Sequence, residues 1–437
     1  MIKRTFAVAT LGCKVNQYES SVMAGMFKNR GYQAVEFGQQ ADICLINTCT
    51  VTHLSDRKSR QLIRRAIKTN PNAFIIVTGC YAQISPHEIM DIEGVDLVVG
   101  TVDRDKIVDF AEKAQGSTVV LNYVREFDQN VKFEELPAQV VTGRKRAFLK
   151  IEEGCSNYCS YCIIPFARGP QRSRSFKDSL NQAKNLVGAG FKEIVLTGIH
   201  LGSYGRDLGE EEVNLNSLIN SIVKIPGLAR LRISSLEPMD ITLDLINTIA
   251  SQKVICRHLH IPLQSGDDQV LENMRRNYTI NDYRRVIRQI RDRIPEIALT
   301  TDIMAGFPGE TDQQFCNTCD VIRELSFSRL HVFKYSSRKG TPAAEFDNQV
   351  HPTVKEKRSS ILLAISKKMA MDYAGLHLGT IQEVLVEGAY SKLSGYDEGL
   401  TDNYQRVLFS SDFSKRGEIV NIKIESLQGD NLRGTII

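Results

Sequence analysis

The sequence predicts an α/β protein in three parts: an N-terminal parallel α/β domain (1–125), a partial TIM-like (β/α)6 barrel (146–370) and a small C-terminal β-barrel (371–437), with 126–145 as a linker. Three observations predict it. Short apolar runs alternate with helix-like stretches over residues 1–125, the pattern of a parallel sheet. Six further strand–helix pairs follow. From about residue 378, short strands broken by Gly and Asp turns replace both patterns.

In the first part the runs are TFAVATLG (5–12), DICLINT (42–48), AFIIVTG (73–79) and DLVVG (96–100). A cysteine directly follows each of the first three: Cys13, Cys49 and Cys80. Parallel sheets bind ligands at the carboxyl ends of their strands. Three cysteines distant in sequence are therefore expected to converge at one edge. The alternative is three separate buried thiols.

The second part has candidate strands at 147–154, 193–200, 228–238, 258–266, 298–309 and 329–341. Six parallel strands are too few for a closed eight-stranded barrel. An open barrel with its site at the strand carboxyl ends is expected. The stretch GCSNYCSYC follows the first of these strands and places Cys155, Cys159 and Cys162 at that face. A structural zinc site needs four ligands, and no fourth Cys or His lies nearby. Three thiolates instead suit a cubane iron–sulfur cluster with one iron left open.

Bulk properties bound the rest. The chain has 437 residues, of which 42% are hydrophobic and 24% charged, room for two or three domains of ordinary globular composition. No apolar run approaches the roughly 18–20 residues that span a bilayer. The N-terminus reads as a first strand and not as a signal peptide. A cytoplasmic setting follows, in which ten cysteines indicate metal or redox use. Net charge is only +4, yet the first 70 residues carry eleven Lys/Arg against four Asp/Glu. Arg57, Arg60, Arg64 and Lys68 share one helical face just after Cys49, with no acid interleaved. RNA phosphate contact is the reading this favours over a merely solvated face.

The aromatic Tyr161 before the last cysteine completes the signature of enzymes that hold S-adenosylmethionine (SAM) on an open iron. The chain resembles the radical-SAM methylthiotransferases over nearly its whole length. LGCKVNQYES, NTCTVT and VTGCYAQ are similar to that family's cluster-binding domain. EEGCSNYCSYCIIPFARGPQRSR, HLHIPLQSGDDQVLENMRRNY and DIMAGFPGET are similar to its radical-SAM core, and the C-terminal barrel to its RNA-binding TRAM domain. LGCKVN, TVTHLSDRKSRQ, TGIHLGSYG and ISSLEP resemble the branch that methylthiolates N6-threonylcarbamoyladenosine at position 37 of tRNA. Other branches act on isopentenyladenosine in tRNA or on a ribosomal-protein aspartate.

The resemblance implies that Cys155, Cys159 and Cys162 hold the radical-SAM 4Fe-4S cluster and that Cys13, Cys49 and Cys80 hold an auxiliary 4Fe-4S cluster. One SAM would methylate a sulfur on the auxiliary cluster. A second would be reductively cleaved to the radical that attacks C2 of the adenine. Implied partners are the tRNA anticodon stem-loop and a small electron donor such as flavodoxin or ferredoxin. SAM contacts are expected from Tyr161, Thr197, Gly198, Glu237, Gln264 and Asp302. TGIH stands where other radical-SAM enzymes carry a Gly-Gly-Glu motif. Gly306 and Gly309 either let backbone approach the cofactor or make a tight turn.

Arg168, Arg172 and Arg174 are candidates for tRNA backbone contact or for pairing with nearby acids. The C-terminal barrel has ten acids and six bases over 371–437, unusual for an RNA module, so its binding face would be local to Arg406, Lys415 and Arg416. Cys316 and Cys319 lie one helical turn apart and are expected to pack in the core, as are Cys44 and Cys256. His258 or His260 is expected to face the barrel interior. A zinc-binding RNA module without catalysis is the competing class.

Overall fold

The computed structural model describes residues 4–128, 131–136, 145–411 and 415–437. Half of the expected linker, 129–130 and 137–144, lies outside the described residues. The first sheet is parallel and runs β2-β1-β3-β4-β5-β6. Its strands are β1 (Thr5–Thr10), β2 (Gln33–Val35), β3 (Ile43–Thr48), β4 (Phe74–Gly79), β5 (Leu97–Val99) and β6 (Leu121–Tyr123). Ile43–Thr48 is buried throughout, as a central strand covered on both faces should be. The short edge strands β2 and β6 carry no long apolar run, and the sequence pattern missed them.

Helices α1 (Lys14–Asn29), α2 (His53–Thr69) and α3 (Cys80–Ile84) leave the carboxyl ends of β1, β3 and β4. The Thr52 side chain accepts from Ser55 N–H and caps α2.

The second unit holds six parallel strands in sequence order: β7 (Arg146–Lys150), β10 (Glu193–Thr197), β11 (Arg230–Ile233), β12 (His258–His260), β13 (Ala298–Ala305) and β14 (Arg329–Lys334). β8 (Glu152–Glu153) and β9 (Arg172–Ser173) form a small antiparallel pair beside the cysteine loop. Two three-stranded ladders, β11-β10-β7 and β12-β13-β14, are joined by single bridges at Leu231–Ile255 and Ser235–His260. This is the expected open barrel. Each strand is shorter than its apolar run because the run continues into the loop that builds the site.

The third unit is a closed five-stranded barrel of β15 (Ile381–Ala389), β16 (Tyr396–Thr401), β17 (Arg406–Ser410), β18 (Ile419–Gln428) and β19 (Asn431–Ile436). The helix Pro352–Gly375 runs through the expected boundary at 370. Its Leu362 packs in the core of the open barrel and its Ala374 in that of the closed one. Arginines of the open barrel grip the closed one. Arg230 donates to the Leu400 and Glu383 carbonyls, and Arg232 to those of Asp402 and Thr401. Tyr404 stacks on His258 with centroids 4.9 Å apart, under the Arg232 guanidinium at 4.5 Å.

Candidate cluster and cofactor site

Cys13, Cys49 and Cys80 follow β1, β3 and β4 at one edge of the sheet, and all three thiols are free. Cys13 caps α1 and Cys80 opens α3, so two of the three sit at helix N-termini, where the dipole favours negative sulfur. Local sterics bring them close. Gly79 has φ +99° and lies against Thr48, where a Cβ would come 2.4 Å from the carbonyl oxygen. A Cβ on Gly12 would come 3.2 Å from the Cβ of Cys49. The strand-end convergence expected from sequence is thus present in the backbone. Burial pushes the Cys80 thiol up to about 12, against the pull of Arg168.

The loop carrying Cys155, Cys159 and Cys162 is tied down on both sides. Cys155 N–H donates to the Gly169 carbonyl at 3.0 Å, and Ser160 donates to the carbonyls of Met274 and Asn273. Burial pushes the Cys162 thiol up to about 12. Arg276 donates to the Cys159 sulfur at 3.3 Å and pairs with Glu237. The His200 ring meets Asp240, with Nε2 2.7 Å from Oδ2. Burial works against its charge, but the hydrogen bonds to Asp240 and Cys155 outweigh it and carry the ring's pKa up to about 10.

The expected SAM residues fall into two groups. Tyr161, Gln264 and Asp302 line one cavity of about 170 Å³ with Cys162. Gln264 reaches it because its backbone bridges β13, donating to the Asp302 carbonyl and accepting from Met304 N–H. Val51 and Thr52 of the first unit line the same cavity, so the loop after Cys49 faces the loop ending at Cys162. Glu237 lines a second cavity with Cys159, His200 and Arg276. Thr197 and Gly198 line neither. A Cβ on Gly198 would come 2.6 Å from Glu152 Oε2, and that carboxylate instead accepts from Ile199 and His200 N–H, each at 2.7 Å. Gly306 also meets protein: its N–H donates to Glu310 at 2.8 Å.

The arginine expectation needs correction. Arg172 and Arg174 are 6% and 0% exposed and cannot reach RNA phosphates. Arg172 donates to the carbonyls of Pro170 and Arg168, and Arg174 to those of Lys150 and Leu136 and to Asp178. Arg168 is equally buried and pairs with Glu19 and Glu153. Those two acids also pair with Arg104 and Lys150, and Arg104 with Glu134, a six-charge cluster joining the first two units. On α2, Arg57, Arg64 and Lys68 are exposed, while Arg60 bonds Tyr81 and Glu88. In the C-terminal barrel Arg406 pairs with Glu398 and Arg416 with Asp397.

Cys44, Cys256 and Cys319 are buried as expected, but Cys316 is exposed. Both His258 and His260 bond Thr300, and His260 also contacts Asp302. Sequence reasoning missed Glu152, His200, Asp240 and Arg276 as site residues. No spacing marks them: Glu152 lies on the two-residue strand β8, and His200, Asp240 and Arg276 lie on separate connections between strands.

The donor sets fit iron–sulfur clusters. Each offers three thiols and not four, and each has a guanidinium against one sulfur. The model of the Radical SAM superfamily matches residues 149–322, and that of the Uncharacterized protein family UPF0004 matches residues 5–100. Threonylcarbamoyladenosine tRNA methylthiotransferase MtaB of Bacillus subtilis (strain 168) is 45% identical over 96% of this chain and 93% of its own. tRNA-2-methylthio-N(6)-dimethylallyladenosine synthase of Pelotomaculum thermopropionicum is 36% identical over 99% and 98%. The radical S-adenosylmethionine methyltransferase TsrM of Kitasatospora setae, solved with cobalamin and a 4Fe-4S cluster, superposes with a TM-score of 0.58 at 14% identity. The match covers 78% of this chain and 77% of that one and shows a shared fold. The fold and the cysteine loop define a radical-SAM enzyme. The chain belongs to the methylthiotransferase family within that class, whose cofactors are SAM and two 4Fe-4S clusters.

Proposed function

We propose that this chain inserts a methylthio group at C2 of N6-threonylcarbamoyladenosine at position 37 of tRNA. The observation that carries the reading is the facing of the two cysteine loops across one cavity, with Val51 and Thr52 opposite Cys162. Cys155, Cys159 and Cys162 would hold the radical-SAM cluster and Cys13, Cys49 and Cys80 the auxiliary one. When bound, the clusters supply the electron that cleaves SAM and the sulfur that is transferred.

The chain's own residues hold and shield. Tyr161, Gln264 and Asp302 would take the nucleoside part of SAM and Glu237 its methionine part, with Thr197 and Gly198 shaping the loop between them. Arg57, Arg64 and Lys68 would meet the anticodon stem-loop, and a flavodoxin or ferredoxin would deliver the electron. No helix among the described residues is long and apolar enough to cross a membrane. A cytoplasmic site of action agrees with reduced thiols and a tRNA substrate.

The 36% identical relative makes dimethylallyladenosine tRNA the second reading. A mass-spectrometric nucleoside profile of tRNA from cells with and without the gene separates them. Loss of 2-methylthio-N6-threonylcarbamoyladenosine, with its precursor accumulating, supports the first. Loss of the dimethylallyl product supports the second. An unchanged profile rejects both and directs attention to ribosomal proteins.

A further inference from the structure

We propose that Arg338 is a positioning residue that fixes the segment after Cys49 against the cavity lined by Cys162, and that methylthio transfer depends on this registration while SAM cleavage does not. The inference rests on the reading of Cys13, Cys49 and Cys80 as auxiliary-cluster ligands. Arg338 stands on the connection after β14 and is only 6% exposed. Its guanidinium crosses to the first unit. Nη1 lies 2.6 Å from Asp56 Oδ2 and 3.4 Å from His53 Nδ1, and Nη2 donates to Thr50 Oγ1 at 2.6 Å. Thr50 in turn donates to Asp56 Oδ1 at 2.6 Å, which closes a ring of three side chains. His53 N–H adds a bond at 3.1 Å to Ser336 Oγ, on the same connection as Arg338.

Thr50 directly follows Cys49, and the next two residues, Val51 and Thr52, line the cavity. Tyr335 and Ser336, beside Arg338 in sequence, line it too. Within its own unit Cys49 is held by Ser59 Oγ, which bonds both its N–H and its carbonyl. Those bonds leave its placement against the barrel open, and Arg338 supplies that tie. A planar guanidinium fork restrains orientation as well as distance. The six-charge cluster around Glu19 and Arg168 joins the two units independently. Loss of Arg338 therefore frees one edge of the cavity and leaves the units attached. Transfer between two cofactor sites depends on placement, and a shift of about 1 Å can cost about a hundredfold in rate. SAM cleavage needs the other cysteine loop alone. An arginine that merely braced the fold would affect stability and leave the coupling of cleavage to transfer unchanged.

The test begins with hydrogen exchange, read by mass spectrometry, on the metal-free full chain. In Arg338→Met the amides of 50–56 should exchange about tenfold faster, while peptides holding Glu19, Arg104, Glu153 and Arg168 keep wild-type rates. The cluster-loaded chain, at wild-type iron content, is then assayed for 5′-deoxyadenosine and for the methylthiolated nucleoside. Arg338→Met should retain SAM cleavage and raise the ratio of cleaved SAM to methylthiolated product about tenfold or more. Arg338→Lys, which keeps the charge without the fork, should raise it by less. Unchanged exchange at 50–56 overturns the proposal, and so does faster exchange with an unchanged ratio. If Arg338→Met does not fold, Asp56→Asn takes its place, and wild-type exchange and ratio in that variant overturn the proposal. A wild-type chain that cleaves SAM but modifies no tRNA would overturn the proposed reaction and this proposal together, an outcome distinct from an unmoved ratio.

Discussion

Arg168 places its Nε 3.2 Å from the Cys80 sulfur, while its two terminal nitrogens bond Glu19, Glu153 and Asn16. One guanidinium thereby connects a candidate cluster ligand of the first unit to the acidic core that joins it to the second. The side chain is fully buried. Breaking a buried charge network from one side leaves uncompensated charge and costs about 3–5 kcal/mol. Arg168→Met should therefore lower the unfolding free energy of the metal-free protein by that amount in urea denaturation. Arg168→Lys should lose less, because it keeps the charge but not the fork. Equal stability of all three proteins would show that Arg104 and Lys150 alone satisfy both acids.

Glu152 offers a pH test. Burial, reinforced by Glu153, pushes its carboxyl up to about 8, and its Oε1 has no hydrogen-bond partner among the described residues. An acid raised in the fold stays protonated there while the unfolded chain ionises near pH 4.5. Its contribution to stability is thus fully present below about 4.5 and is lost as pH rises towards 8. Glu152→Gln keeps an acceptor for Ile199 and His200 N–H and removes the charge. It should be the more stable protein at pH 8 by about 1–3 kcal/mol, and the difference should vanish at pH 4. Urea midpoints of the two proteins across that range would check it. A constant difference at all pH values would mean that Glu152 does not titrate in this window.

Much of the architecture was legible because its signals are local. Cys13, Cys49 and Cys80 each follow a run of apolar residues, so strand-end convergence is legible in the sequence. The same logic put Gln264 and Asp302 at the barrel mouth. What failed depends on partners far away in sequence. Arg172 and Arg174 look like a basic RNA-facing run. Arg174 donates to the carbonyls of Leu136 and Lys150, and Arg172 lies over the Phe127 ring, contacts that only folding makes. His200 and Asp240 lie on loops forty residues apart, and no periodicity joins them.

The two cysteine triads should separate by function. Cys159→Ala removes a thiol beside Arg276 and Glu237 and should abolish SAM cleavage. Cys13→Ala lies in the other unit and should leave SAM cleavage largely intact while abolishing methylthio transfer. Both should show less iron than the wild type. Chromatographic assay of 5′-deoxyadenosine and of the methylthiolated nucleoside distinguishes them. Methylthio transfer by the Cys13 variant would remove that residue from the auxiliary site.

The proposed tRNA contact can be tested at α2. With Arg172 and Arg174 buried, the exposed members of the expected RNA-facing set are Arg57, Arg64 and Lys68. Arg60 belongs to the same face but bonds Tyr81 and Glu88, so its charge is partly spent. Each phosphate contact steepens the fall of log affinity with log salt by about 0.7–0.9. Replacing Arg57, Arg64 and Lys68 together by Gln should flatten that slope by about 2–3 and weaken tRNA binding tenfold or more at low salt. SAM cleavage without tRNA should be unaffected, because none of the three touches either cavity. Arg60→Gln should change the slope by less than one contact. A full wild-type slope in the triple variant would move the RNA surface away from α2, and Lys415 of the C-terminal barrel would be the next residue to replace.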